Sequence, residues 1–267
     1  MSRFAESKQQ GFTLVELVAV IVLLGFVGTA SVQFIRQGIE VYVDSARRDN
    51  LQQQARFAVE RVTRELKNAL PGSVRILTDA NNQCVEFMPV IAATTYIDSI
   101  ANTTVGTLNV IDFNYSYISG DRLAIYTFDN ASVYGGTPNI TELTAAANGA
   151  VANTQLLSFD NITINNESPT RRAYIVAGAV SFCASDGELR RHSGYTPNGN
   201  PPTPADGIPI SDALRVEDTG AAITVFDFSF DSLQRAGTVL LDFRFQDSSA
   251  TDEWLKMDQT VFVRNVP

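Results

Sequence analysis

The sequence contains few of the residues on which enzyme chemistry depends. Among its 267 residues, His occurs once, as His192, and Cys occurs twice. No Gly-x-Ser-x-Gly elbow and no Gly-x-x-x-x-Gly-Lys-Ser/Thr loop is present, which excludes the nucleophile elbow of α/β-hydrolases and the phosphate loop of assembly motors. A triad is not expected either, because the region of His192 offers no second candidate base. We therefore predict a non-enzymatic protein with no catalytic residues and no cofactor.

Metal ligands are scarce as well. Zinc needs more Cys and His than the chain contains, whereas calcium prefers oxygen ligands. Two acidic loops contain such oxygens, namely Asp79 with Asn81 and Asn82, and Asp247 with Asp252 and Glu253. Neither loop has the spacing of an EF-hand, so we interpret both as solvated acidic loops, with a calcium site as the alternative. We predict no metal site.

Positive charge is also limited. The sequence has 20 Lys and Arg residues and 29 Asp and Glu residues, which gives a net charge of −9 and a pI near 4.6. Nucleic-acid binding depends on clustered basic residues that displace counterions from phosphates. The densest basic segments, Arg171-Arg172 and Arg190-Arg191-His192, are short and typical of a solvated face. We predict no nucleic-acid partner.

A long apolar run stands near the N-terminus and continues to about Ile35. It holds more than 20 residues without proline, and Arg3, Lys8 and Arg36 flank it, so it is long enough to cross a bilayer as one helix. Its one carboxylate is Glu16, about one helical turn inside. A charge at the centre of a membrane helix costs about 2.5 to 3.5 kcal/mol, and less near its end, so Glu16 is expected to have a function.

Residues Gly11-Phe12-Thr13-Leu14-Val15-Glu16-Leu17 resemble the N-terminal signature of the type IV prepilin family, in which a short basic leader precedes this motif and an apolar helix. The resemblance implies cleavage after Gly11 by a prepilin peptidase, N-methylation of Phe12, and a role for Glu16 in docking onto another subunit. An ordinary signal anchor that happens to contain a Glu is the alternative. A secretory signal peptide fits less well, because the apolar run is too long and no small-x-small site ends it.

The basic leader places the N-terminus in the cytoplasm and the rest of the chain on the oxidising side of the membrane. Both cysteines, Cys84 and Cys183, then lie in the exported part. An even number of cysteines in that compartment favours one disulfide, which we predict here, and the alternative is two separate buried thiols.

The helix is expected to continue beyond the membrane. Apolar residues recur at spacings of three and four as far as Ala69, and the first proline, Pro71, follows with Gly72. We predict a leader at residues 1–11, a membrane or filament-core segment at 12–35, and an amphipathic half at 36–70. Gly25 and Gly28 indicate either a segment that unwinds on filament entry or close contact with other helices.

The remainder, residues 71–267, has the period of two that is typical of β-strands. We predict a hairpin of 110–118 with 122–128, an exposed loop at 129–153, a surface loop at 195–213, and strands elsewhere. These further strands are expected at 73–77, 84–88, 156–164, 174–183, 223–230, 238–245 and 254–263. The fold class is therefore α+β, a pilin-like fold in which a long N-terminal helix packs on antiparallel sheet, with alternating aromatics such as Phe226, Phe228, Phe230, Phe243 and Phe245 in its core.

Short motifs at 84–89, 180–191 and 263–267 resemble the large minor pilins and the J-type pseudopilins. Gln33 stands where many major pilins carry a proline, which favours a minor subunit. The resemblance implies a single-pass protein of the bacterial inner membrane that enters a filament, with prepilin peptidase, other pilins or pseudopilins and the inner-membrane assembly platform as partners. Two alternatives are a pseudopilin of a type II secretion system and a membrane-anchored adhesin that binds through its loops.

Overall fold

The longest element of the chain is one N-terminal helix, α1 (Leu14–Leu66), of 53 residues. The structure is a computed structural model that describes residues 11–80, 82–135, 139–218, 220–229, 237–247 and 253–263. These residues form two compact units, one ending at Asn50 and one beginning at Leu51. The predicted leader up to residue 10, the residues Asn81, Phe230 and Asp252, and the C-terminal motif from residue 264 lie outside the described residues.

The first unit contains the apolar half of α1, which has no core of its own. Every residue from Gly11 to Ala46 is exposed within the chain. The periodic positions Ile39, Val43 and Ala46, which we predicted on an amphipathic face, are exposed as well. Among the described residues, α1 is the one helix that is long and apolar enough to cross a membrane. The apolar surface of this half therefore needs lipid or other protein chains.

The second unit begins with the amphipathic part of α1, where the prediction is confirmed. Ala55, Ala58, Val62 and Leu66 follow spacings of three and four, and all are fully buried. The helix ends at Leu66, and Gly72 turns the chain with a φ of +75°. A Cβ at Gly72 would lie 2.5 Å from the backbone nitrogen of Asp129, so only glycine fits this position.

Sixteen strands and one short helix, α2 (Asn130–Tyr134), follow in the described residues. The strands are β1 (Arg75–Thr78), β2 (Gln83–Phe87), β3 (Val90–Thr95), β4 (Thr103–Ile111), β5 (Arg122–Ile125), β6 (Ile140–Asn148), β7 (Thr154–Ile164), β8 (Arg172–Val176), β9 (Val180–Ser185), β10 (Glu188–Ser193), β11 (Ile208–Ser211), β12 (Glu217–Asp218), β13 (Ala221–Ala222), β14 (Phe226–Ser229), β15 (Thr238–Gln246) and β16 (Trp254–Phe262). Every strand pair in these residues is antiparallel, as predicted.

The helix packs against two of the sheets. One has the order β1-β2-β9-β10-β11 and the other the order β14-β15-β16. Both contribute buried side chains to one core with α1, including Phe87, Phe182, Phe226, Phe243 and Phe245. The predicted core role of the alternating aromatics is therefore confirmed for Phe226, Phe243 and Phe245, and Phe228 is partly buried beside them. This core is the pilin-like α+β arrangement that the sequence indicates.

A six-stranded sheet of order β3-β8-β5-β6-β7-β4 forms a second core. Its two outer strands also meet, because Tyr96 forms a bridge with Val110 and the hydroxyl of Thr94 donates to the carbonyl oxygen of Ile111 at 2.8 Å. The sheet thereby closes into a small barrel around its own buried side chains, which include Leu123 and Leu157. All six strands come between β2 and β9 in the chain, so the barrel is an insertion into the first sheet.

The predicted hairpin of 110–118 with 122–128 is wrong. Strand β4 ends at Ile111 and pairs with β7, whereas β5 pairs with β6 and β8. The alternation of apolar and polar residues in the intervening loop has a different explanation. Phe113 and Tyr115 stack with ring centroids 5.5 Å apart, and both pack on the barrel core. Between them Asn114 has a φ of +53°, which interrupts an extended strand.

The prediction of one exposed loop at 129–153 is also wrong, because this segment contains α2 and β6. Its small polar residues have little intrinsic strand propensity, and pairing with β5 and β7 holds β6 in the sheet. The predicted strand 174–183 is two strands, β8 and β9, in different sheets. The segment 195–213 contains the strand β11 and a short 3₁₀ helix at Pro204–Asp206, and β3 was not predicted.

Candidate processing and assembly site

The candidate site is the segment from Gly11 to Leu17, where α1 begins. Gly11, Phe12 and Thr13 precede the first helical residue, Leu14, so the Gly11–Phe12 peptide bond lies outside the helix. The side chain of Phe12 is 81% exposed. The bond at which the sequence predicts cleavage is therefore accessible and free of helical structure.

Thr13 occupies the N-cap position of α1. Its carbonyl oxygen accepts hydrogen bonds from the backbone N–H groups of Glu16 and Leu17, both at 3.1 Å. Its hydroxyl oxygen accepts a second bond from the same N–H of Glu16 at 3.3 Å, so this amide is shared between the hydroxyl and the carbonyl oxygen of Thr13. Thr13 was not predicted as a functional residue, although the Thr-x-x-Glu spacing of a capping box identifies it as an N-cap.

Glu16 lies in the first turn of α1, one turn from the predicted cleavage bond. Within the described residues it forms no salt bridge, and the side chains of its neighbours Leu14, Val15, Leu17 and Val18 are apolar and exposed. The partial positive charge of the helix N-terminus favours a carboxylate at this position, typically by about 0.3 to 1 kcal/mol. The helix therefore offsets part of the cost of Glu16 but provides no ionic partner.

Polar and small residues in the apolar half of α1 fit an apolar environment. The hydroxyl of Thr29 donates to the carbonyl oxygen of Gly25 at 3.1 Å, and that of Ser31 donates to Val27 at 2.7 Å. A Cβ placed on Gly25 or Gly28 would meet no atom within 4 Å. Packing among the described residues therefore does not require glycine at either position.

The N-terminal segment was also compared with known protein families. Residues 7–32 match the family model described as the prokaryotic N-terminal methylation motif. The start of the chain therefore carries the N-terminal motif of type IV prepilin-like proteins. A search of curated proteins and a search of solved structures find no match. The family description applies to the N-terminal segment and defines a structural, non-enzymatic class of protein.

The N-terminal methylation motif implies processing by a prepilin peptidase. The fold agrees with that class, because the apolar N-terminal helix continues into a part that packs on antiparallel sheets. The exposed apolar half of α1 is consistent with anchoring in the inner membrane.

The predicted disulfide is present in the β-rich part of the chain. Cys84 on β2 lies directly opposite Cys183 on β9, with an S–S distance of 2.11 Å and a sequence separation of 99 residues. Both are at most 1% exposed. The bond links the two strands between which the barrel is inserted, so it joins the entry and the exit of that insertion.

Glu86, two residues after Cys84 on β2, forms a buried polar network that was not predicted from the sequence. Glu86 on β2 is fully buried, and the guanidinium of Arg75 contacts it at 2.6 and 2.7 Å. The hydroxyl of Tyr195 donates to Glu86 at 2.7 Å, and Arg75 lies 3.8 Å from the ring centroid of Tyr134. Burial raises the pKa of both tyrosines, so each stays a neutral donor. Nothing in the sequence around Glu86 indicates that its side chain is buried, because a polar residue in an alternating strand normally faces solvent.

The other candidates from the sequence analysis do not converge on one site. Asp79 accepts hydrogen bonds from the backbone and side chain of Asn82 at 2.8 to 2.9 Å, which forms the turn between β1 and β2. Asp247 follows β15 and Glu253 precedes β16. The described residues contain no group of three His, Cys, Asp or Glu suited to a metal ion. His192 lies buried on β10, and neither of its ring nitrogens has a hydrogen-bond partner in the part of the chain that the structure describes.

Proposed function

We propose that this chain is a minor pilin of the MshO type, a subunit of a type IV pilus of the mannose-sensitive haemagglutinin (MSHA) class. Prepilin peptidase cleaves it between Gly11 and Phe12, and the new amino group of Phe12 is N-methylated. The observation that carries the proposal is the apolar half of α1, which begins at the methylation motif and which the described residues leave exposed.

The proposed location follows from the same helix. Before assembly the segment 12–35 spans the inner membrane, with the leader in the cytoplasm and the domain from residue 71 in the periplasm. On assembly the same apolar surface exchanges lipid for the helices of other pilins, at the inner-membrane platform that assembles the filament. Residues 36–70 continue this helix toward the exported domain.

The size of the β-rich part and two sequence features support a minor subunit. Gln33 replaces the proline that many major pilins carry in this part of the helix. The motif at 84–89 that resembles the large minor pilins contains Cys84 and Glu86, which belong to the disulfide and to the buried ion pair. The resemblance therefore rests on residues that hold the fold together. A pseudopilin of a type II secretion system shares these features and is the closest alternative.

Glu16 is proposed to dock the subunit onto a neighbour. Its carboxylate has no ionic partner among the described residues, and cleavage creates a cation, the amino group of Phe12, at the same depth. A charge in an apolar environment is tolerable when it is paired. Pairing between Glu16 of one subunit and Phe12 of the next would make the cost of the carboxylate a driving force for assembly.

A strain whose only copy of this protein carries Glu16→Val tests the proposal. We expect normal subunit level and processing on immunoblots but poor pilus yield, because the register-setting ion pair is lost. Glu16→Gln keeps the shape and removes the charge, so it should fail in the same way. Glu40→Gln, on the same helix but outside the apolar run, is the matched control and should assemble normally.

Normal pilus yield together with normal incorporation of Glu16→Val would contradict the docking role. The apparatus is tested separately, by deleting the gene and measuring MSHA pili and type II secretion in the same strain. Loss of pili with intact secretion supports the minor pilin, and the reverse result supports the pseudopilin. Retention of the uncleaved leader in working protein would indicate a membrane-anchored binding module.

A further inference from the structure

The start of α1 lies at a fixed distance from the bond at which we propose cleavage. The Gly11–Phe12 bond is followed by the non-helical Thr13, and the helix begins at Leu14. A residue at the N-cap position has non-helical backbone angles, and it ends the helix on its N-terminal side. The position of the cap therefore decides which peptide bonds stay extended.

A protease acts on a peptide bond whose groups it can reach, and a bond inside a helix has its N–H or carbonyl group engaged. The backbone N–H groups of Glu16 and Leu17 are the first that bond within α1, and both donate to Thr13. The Gly11–Phe12 bond lies N-terminal to these contacts. Its own groups take no part in the helical hydrogen bonds recorded for the described residues.

We propose that Thr13 is a positioning residue for the cleavage reaction. Its hydroxyl holds the helix start two residues beyond the scissile bond and presents Gly11–Phe12 to the peptidase in extended form. Thr13 does not touch the reacting atoms in this role. It acts through the N–H of Glu16, to which its hydroxyl oxygen is bonded at 3.3 Å. This inference rests on the proposed function, because it concerns the same cleavage.

Glu16 has two functions under this proposal, since its backbone fixes the helix start and its side chain is available for docking. The two can be separated by mutation. Replacing the Glu16 side chain leaves its N–H in place, so the Thr13 hydroxyl keeps its partner. Replacing Thr13 with Val or Ala removes the side-chain part of the cap, while the backbone carbonyl at this position and the Glu16 carboxylate remain. We therefore expect Thr13 variants to affect cleavage and Glu16 variants to affect assembly.

The test compares cleavage kinetics of the full-length chain in detergent with purified prepilin peptidase. Thr13→Val keeps the shape of threonine but lacks a hydroxyl, and Thr13→Ala lacks both. Loss of an N-cap weakens the first turn by an amount that corresponds to about a fivefold change in its equilibrium. We expect both variants to lower the cleavage rate constant several-fold, with a smaller effect on KM, because the chain still binds through its apolar helix.

Thr13→Ser and Thr13→Asn separate capping from direct recognition of threonine. Both are good N-cap residues, but Asn has neither the methyl nor the hydroxyl group of Thr. Near wild-type cleavage of both supports the cap. Rescue by Ser alone shows that the peptidase recognises the hydroxyl itself and overturns the proposal. Equal cleavage of wild type, Val and Ala overturns it too.

Hydrogen exchange at the backbone N–H of Glu16 provides a readout that does not depend on activity. Exchange should accelerate several-fold in Thr13→Val and Thr13→Ala and stay near the wild-type rate in the Ser and Asn variants. Unchanged exchange in Thr13→Val would show that the hydroxyl does not cap α1 and would contradict the proposal. If the wild type is not cleaved at all, the proposed function fails, whatever the exchange rates show.

Discussion

The guanidinium group of Arg75 lies 2.6 Å from the carboxylate of Glu86, whose side chain is fully buried. Arg75 is on β1 and Glu86 lies opposite it on β2, in the sheet that packs against α1. The hydroxyl of Tyr195 supplies a further hydrogen bond, so the buried charge is paired and hydrogen-bonded. An ion pair of this kind contributes little compared with an apolar pair, but breaking it leaves an uncompensated charge in the core.

Arg75→Met should therefore strongly destabilise the β-rich part of the chain, by about 3 to 5 kcal/mol in the free energy of unfolding. Adding Glu86→Gln to that variant should recover part of the loss, because the buried group is then neutral and keeps a bond to Tyr195. Arg244→Met is the matched control, since its partner Asp242 is on a partly solvated surface where such pairs contribute about 0 to 1 kcal/mol. Denaturant unfolding measures all three, and equal losses in Arg75→Met and Arg244→Met would contradict the assignment.

The disulfide leads to a prediction about thiols and stability. Denatured, unreduced protein should show no thiol that reacts with a labelling reagent, and reduction should expose both Cys84 and Cys183. Replacing both with Ala should cost about 2 to 5 kcal/mol, because the bond closes a loop of about 100 residues that contains the whole barrel. Labelling of both cysteines before reduction would reject the bond.

His192 predicts a pH dependence. It is 2% exposed, and burial lowers its pKa, with Arg190 acting in the same direction and Asp206 in the opposite one. The folded protein therefore favours neutral His192, whereas the unfolded chain binds a proton at a pH near the ordinary value of about 6.5. The stability contributed by His192 is present above that pH and is lost progressively as the pH falls below it.

His192→Phe removes this titration and leaves the other groups in place. When the pH is lowered from 7.5 to 5.5, the unfolding free energy of the wild type should therefore fall by more than that of the variant. Denaturant midpoints at both pH values give this difference. Parallel changes in the two proteins would show that His192 is not a buried neutral group.

The sequence predicted the parts of the structure that depend on local pattern. The spacing of Ala55, Ala58, Val62 and Leu66 identifies the buried face of α1, because a helix repeats every 3.6 residues. Strand β15 has its alternating aromatics, Phe243 and Phe245, in the core. The pairing of Cys84 with Cys183 followed from their number and compartment alone.

The sequence did not predict the closed barrel, because its closure depends on long-range pairing. Nothing local indicates that Tyr96 bridges Val110, or that β4 pairs with β7 and not with β5. The alternation around Phe113 and Tyr115 is compatible with a strand and equally with a loop that packs its aromatic side chains inward. The burial of Glu86 was missed for the same reason, since its partners Arg75 and Tyr195 are distant in the chain.

At the candidate site the motif was predictable from the sequence, and its local geometry came from the structure. Gly11, Phe12 and Glu16 were predicted from the resemblance, and the family match supports the motif that contains them. The cap at Thr13 depends on where the helix starts, and sequence patterns place helix ends less accurately than helix interiors. The partner that we propose for Glu16 belongs to another subunit, so neither the sequence nor a single chain contains it.

Intact-mass analysis of the protein isolated from cells with an active prepilin peptidase tests the central claim most directly. We predict a chain that lacks residues 1–11, begins at Phe12 and carries the added mass of one methyl group. Gly11→Leu is the matched variant, which should insert into the membrane and keep its leader. A wild-type mass that includes residues 1–11 would contradict the assignment of this chain as a processed pilin subunit.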